Sequence, residues 1–69
     1  MRLSARNVLK GRVVHVVRGA TTGHVKLDIG GGAIVTASIT MEAIRELGLK
    51  KGDRAVAIIK ASDVIVGKE

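Results

Sequence analysis

The sequence contains no cysteine, no proline and no phenylalanine, tryptophan or tyrosine. Without cysteine, no disulfide can staple the fold, and every thiolate-based metal site is excluded. His15 and His24 are the only imidazoles, and they form no HExxH or comparable ligand spacing. The lack of aromatic rings removes the platforms on which single-stranded nucleic acids stack their bases. It also leaves Val, Ile and Leu to build the core, a composition suited to β-sheet packing. No apolar run approaches the roughly 20 residues of a membrane span. Nor does Met1 lead into the apolar stretch of a signal peptide. Together with the missing thiols, this predicts a soluble, cytoplasmic protein.

Acidic residues are also scarce, 6 against 12 Lys and Arg, for a formal charge of +6. Such an excess predicts an anionic partner. Nucleic acid is one choice, but no helix-turn-helix or zinc-finger pattern is present and the basic residues are spread along the chain. A small anion carries comparable weight. The 69 residues make a single domain, 1–69. A domain of this size buries only about 60% of its unfolded surface, and small scaffolds lean on a disulfide, a metal or a partner chain. With the first two poorly supported, oligomerisation remains.

The chain reads as strands of two-residue period interrupted once by a helix. Residues 2–7 are expected to form a short strand ended by "LKG" at 9–11, followed by a strand "RVVHVV" at 12–17. Val13, Val14, Val16 and Val17 blur the alternation of that strand, which predicts a strand covered on both faces, one cover coming from another subunit. "RGATTG", 18–23, is a connecting loop. "HVKLDI", 24–29, alternates cleanly, with Val25, Leu27 and Ile29 inward. "GGG", 30–32, supplies the positive φ values of a hairpin turn, and "AIVTASI", 33–39, is the next strand.

"TMEAIRELGL", 40–49, changes to helical spacing through Met41, Ile44 and Leu47/Leu49. Thr40 is the expected N-cap and Gly48 the stop. After a turn at "KKGD", 50–53, strands "RAVAIIK", 54–60, and "SDVIV", 62–66, close the chain. The expected fold class is therefore all-β with one short helix, an OB-like small barrel.

Three stretches carry candidate chemistry, each beside a duller reading. "SARN", 4–7, offers a hydroxyl, a guanidinium and a carboxamide, and arginine suits forked recognition of oxyanions. The dull alternative is an exposed strand with a polar face. "IIKAS", 58–62, sets Lys60 and Ser62 two apart, on one strand face if the strand continues; an ordinary strand end would look the same. "TASIT", 36–40, places Thr36, Ser38 and Thr40 on one face, and only Thr40, opening a helix, stands where an anion is favoured. "GGG" precedes a strand and lacks GK[ST], which rejects a nucleotide-binding loop. The 18–23 loop could offer backbone amides in a nest-like turn. No nucleophile–base pair or paired carboxylates are found, so no enzyme is expected.

"LSARNVLKGRVV" followed by "VTASIT…ELGLKKGDRAVAIIKASDVIV" resembles the molbindins, or molybdenum-pterin-binding proteins, built of the Mop (TOBE-type) domain. The same module resembles the molybdate-sensing part of a bacterial transcription regulator and the tail of molybdate transporter ATPases. The resemblance spans essentially the entire chain, with SARN-x-L-K-G and I-K-A-S as its specific marks.

The resemblance implies a barrel per subunit, dimers sharing strands, and a hexamer built as a trimer of dimers. It further implies that molybdate or tungstate binds between subunits. The oxyanion-binding set then falls on Ser4, Ala5, Arg6 and Asn7, on Lys60, Ala61 and Ser62, and on Thr40 of a neighbouring subunit. A second site at Gly19, Ala20 and Thr22 is the least specific part of this assignment. Many relatives carry a serine where this chain has Ala43, so one hydroxyl of the set is missing. No aromatic side chain is available to stack a pterin.

Molybdate at neutral pH is a fully deprotonated tetrahedral dianion, so its ideal pocket offers donors only. Ser4, Arg6, Lys60 and Ser62 are such a set. Phosphate is largely monoprotonated there and would need an acceptor; each donor left unpaired by the wrong ligand costs roughly 1–3 kcal/mol. The expected function is thus cytoplasmic molybdate or tungstate storage by a homo-oligomer. The alternative is a small nucleic-acid-binding barrel driven by charge.

Overall fold

The computed structural model describes residues 2–69. Its elements are β1 (Asn7–Val17), β2 (Thr22–Gly30), β3 (Ala33–Thr40), α1 (Met41–Leu47) and β4 (Arg54–Ile59), followed by a 3₁₀ turn at Ala61–Asp63. The strands form one antiparallel sheet in the order β3-β2-β1-β4. Single-residue alternation sets the two faces of this curled sheet. Val25 and Leu27 of β2 are buried inward, while His24, Lys26 and Asp28 face out.

β1 departs from expectation at both ends. Residues 2–6 have no regular structure, so the strand predicted over 2–7 contributes only Asn7. "LKG" does not end a strand, because Leu9, Lys10 and Gly11 pair with Ala57, Val56 and Ala55 of β4. Glycine is required at position 11 for close approach, not for a turn. A Cβ there would lie 2.6 Å from the Asp28 carbonyl oxygen.

The blurred valines have a local cause. Val13 pairs with Leu27 and His15 with Lys26, which leaves Val14 as the extra residue of a β-bulge. The bulge shifts the inward frame from Val13 to Val16, so part of the two-faced pattern is a change of phase. Val17 does face out, 44% exposed.

The helix is built as its sequence predicts. Thr40, extended at φ −69° and ψ 149°, caps the first turn by accepting from the Ala43 amide at 3.0 Å. Gly48 ends it in the left-handed conformation at φ 61°. Met41 and Ile44 are buried and join Val13, Val25 and Leu27 in the core. Their seat on β2 is Gly23, where a Cβ would come within 2.6 Å of both Ile44 Cδ1 and the Val17 carbonyl oxygen. Leu47, expected inward from the helical spacing, is instead 68% exposed. It stands at the rim of an apolar concavity of about 750 Å³ between the unpaired edges of β3 and β4. Among the described residues, none buries Leu47 there.

The second closing strand, expected over 62–66, is not formed. The amide of Asp63 donates to Lys60 O at 2.9 Å and that of Val64 to Ala61 O at 3.2 Å, turning the chain off the ladder. Ser and Asp favour such turns by local side-chain chemistry. Residues 64–69 have no ladder partner, and Ile65 is 95% exposed. The radius of gyration, 12.7 Å, exceeds the roughly 11 Å of a compact 69-residue domain. The barrel is open along one side.

Candidate oxyanion-binding site

β1 and β4 run antiparallel, so the start of one lies beside the end of the other. Asn7 is the Cα partner of Ile59, and its Nδ2 donates to the Ile59 carbonyl at 3.1 Å. This latch joins the two motifs separated by more than fifty residues of sequence. Ser4, Ala5 and Arg6 lead into the latched position, while Lys60, Ala61 and Ser62 leave it. Ser4, Arg6, Lys60 and Ser62 are exposed, and Ala5 and Asn7 are half-buried.

Within this grouping the roles differ from those expected. Asn7 spends an amide hydrogen on the backbone of β4, which makes it a fastener of the motifs as much as a donor to an anion. Lys60 and Ser62 do not share a strand face, because Ser62 lies inside the 3₁₀ turn at Ala61–Asp63. Their relation is set by that turn. No residue of the turn has a positive φ.

Thr40 lies elsewhere. It ends β3, pairs with Thr22 at the start of β2, and so sits level with the far end of β1 near Val17. The SARN and KAS motifs lie at the near end of β1, about ten strand residues away. The β1–β4 register therefore sets the SARN and KAS motifs at one end of the sheet and Thr40 at the other. The Thr40 hydroxyl oxygen accepts from the Ala43 amide, which leaves its own hydrogen free to donate outward.

Two of the first three helix amides are engaged, Met41 N with the Thr21 carbonyl at 2.8 Å and Ala43 N with Thr40. Backbone donors therefore replace the missing Ala43 hydroxyl only in part. The 18–23 loop holds no residue of positive φ, so the alternating right- and left-handed geometry of an anion nest is not its conformation. Of the second-site residues, Gly19 and Ala20 are exposed in that loop, and Thr22 stands opposite Thr40.

Neither the Asn7–Ile59 latch nor the Gly23 seat has a local signature in the sequence. Reading "LKG" as the end of a strand hid the first, because it cut off the part of β1 that pairs with β4. Among the described residues, no group of three or more His, Cys, Asp or Glu is arranged to hold a metal ion. Among the same residues, no helix is long and apolar enough to cross a membrane.

Comparison with known proteins shows the family and the fold. The TOBE domain matches residues 3–66. A probable molybdenum-pterin-binding protein of Haemophilus influenzae is 46% identical over 69 residues, covering 100% of both chains. A molybdate-binding protein from Sporomusa ovata has a similar structure, with a TM-score of 0.92 at 32% identity over 99% of this chain and 100% of that one. The cytoplasmic molybdate-binding protein ModG, in a form with molybdate bound, gives a TM-score of 0.91 and 51% identity. That match covers 94% of this chain and 46% of ModG. With its open OB-like sheet and its SARN and KAS motifs latched together, the chain belongs to the TOBE-domain family, among the molybdenum-pterin-binding proteins.

Proposed function

We propose that the protein is a non-enzymatic, cytoplasmic oligomer that binds molybdate or tungstate for storage and homeostasis. In this reading Ser4, Arg6, Lys60 and Ser62 of one chain donate to the oxyanion, helped by the backbone at Ala5, Asn7 and Ala61. Thr40 of a neighbouring chain completes the set. The observation that carries the reading is the β1–β4 register, which gathers two donor motifs and leaves Thr40 at the opposite end. A site needing all of them has to be composed from two copies.

The surface supports an assembly on independent grounds. The chain exposes 5577 Å², whereas a folded monomer of its mass exposes about 4,100 Å². The excess, about 1,450 Å², is more than the roughly 800 Å² that one partner loses in a standard interface. The apolar concavity between β3 and β4, the exposed Leu47 and the exposed Val64–Val66 segment are apolar surface that a partner chain could cover. Strand exchange between subunits, and a hexamer made as a trimer of dimers, would use these features. A second oxyanion position at Gly19, Ala20 and Thr22 follows from Thr22 standing beside Thr40.

Selectivity follows from the donor-only composition. Arg6 and Lys60 supply charge-assisted bonds, and the hydroxyls supply neutral ones. Monoprotonated phosphate would meet no acceptor within SARN or KAS, though Asp63 is adjacent. Sulfate, also a proton-free dianion, satisfies the same donors, and only cavity size can separate it.

The test is isothermal titration with molybdate, with sulfate and phosphate as competitors and mass measured by light scattering. Arg6→Ala and Lys60→Ala are expected to weaken molybdate binding by roughly ten- to a hundredfold, the loss of one charge-assisted bond, with the oligomer intact. Unchanged affinity in both variants would refute the site.

A further inference from the structure

The outer face of the sheet carries a second concentration of charge, away from SARN and KAS. Arg12 of β1 and Arg54 of β4 are Cα partners in the ladder. Both are exposed and point outward. Directly opposed like charges on neighbouring strands are destabilising, and no carboxylate lies on β4 to relieve them. Lys10, two residues before Arg12 on the same face, adds a third cation.

Asp28 is the partner of Arg12 on the other side. Its Oδ1 accepts from the Gly30 amide at 2.8 Å, while the Arg12 guanidinium donates to the Gly52 carbonyl at 2.8 Å. Each of these neighbours is thus bonded to the backbone. Three cations and one carboxylate leave two positive charges in excess on this patch.

The cations border a groove of about 690 Å³ whose apolar wall includes Val14 and Val56. Val14 is the extra residue of the β1 bulge, half-buried and set beside the cations by that irregularity. Val56 is 40% exposed. An inorganic tetrahedral ion has no use for the valines. A ligand with a doubly charged head and an apolar body would use both parts, and a phosphate monoester is mostly dianionic at neutral pH.

We infer that this groove is a binding site for an organic phosphate monoester, its phosphate on Arg12, Arg54 and Lys10 and its apolar body against Val14 and Val56. Arginine forks match phosphate oxygens bidentately, and lysine adds a point charge. The site lies about six residues along β4 from Lys60, some 20 Å at strand rise, so the two anions would not compete.

The experiment uses 1-naphthyl phosphate as probe, read by fluorescence anisotropy on the full chain. Because the protein has no aromatic residue, the naphthyl emission is read against no protein background. The expected result is saturable binding, at least tenfold weaker in Arg54→Ala and also weakened in Val56→Ser. Molybdate titration of both variants is expected to match the unaltered protein. Inorganic phosphate and 1-naphthol are each expected to compete poorly, since each offers only one half of the ligand.

No anisotropy change with the unaltered chain, or affinity in Arg54→Ala and Val56→Ser unchanged from the unaltered chain, would overturn the assignment. So would a smaller mass for Arg54→Glu by light scattering, since the face would then be occupied by a second copy. Loss of molybdate binding alone would count against the SARN–KAS site and leave the groove standing.

Discussion

The two ends of β1 contrast sharply. At the far end, near Val17, the glycine at position 23 admits Ile44 and Met41 directly onto the sheet, and the cap of Thr40 is bonded. Ile44 and Val13 there are each 1% exposed. At the near end the proposed oxyanion donors are exposed, and a side-chain latch from Asn7 to Ile59 joins the strands that carry them. The tightest packing lies at one end and the proposed recognition at the other. The lesson is that an isolated chain can complete its packing around the helix while leaving its ligand end half-built.

The largest test of this contrast is Ile44→Ala. Removing a fully buried branched side chain is expected to lower unfolding free energy by about 2–5 kcal/mol, measured by urea denaturation. Molybdate stoichiometry per folded chain should be unchanged. If stability moved by less than 1 kcal/mol, the core would not lie where the burial places it.

Gly23→Ala is expected to cost about 1–3 kcal/mol through overpacking against Ile44 and the Val17 carbonyl. The corresponding change at an exposed position such as Ser38 should fall within about 0.5 kcal/mol. A neutral Gly23→Ala would show that the helix can lift from β2 without loss, which would erase the distinction between the ends.

Thr40→Ala is the finest instrument, because Thr40 belongs to both ends at once in an assembly. Loss of the cap is expected to cost about 1 kcal/mol, visible by denaturation, and loss of the donated hydrogen to weaken molybdate binding. Thr40→Ser should restore both, and Thr40→Asp should restore the cap alone, since a carboxylate caps well but repels an oxyanion. Equal molybdate affinity in Thr40→Ser and Thr40→Asp would remove Thr40 from the ligand set.

Sequence periodicity located the helix, its cap, its glycine stop and three of the four strands, because each depends on local chemistry. It misread "LKG", since a glycine admitted for close approach to Asp28 looks identical to one serving a turn. It misjudged the valines of β1, since a bulge changes phase without any distinctive residue. It extended a strand through 62–66, where apolar alternation persists but no ladder is at hand. The proposed donors, Ser4 and Arg6 with Lys60 and Ser62, were chosen from the sequence by residue type and motif. Their meeting depends on register across the whole domain, which no local pattern encodes.

Placing Thr40 at the opposite end from SARN and KAS has a consequence for how such a store would empty. When no single chain can assemble a complete site, occupancy becomes a function of protein concentration as well as anion concentration. By linkage, an anion that binds only the associated form must favour association to the same degree that association favours the anion. Dilution of the chain, or occupation of its open edge by a competitor, would then release the cargo with no conformational switch inside the subunit.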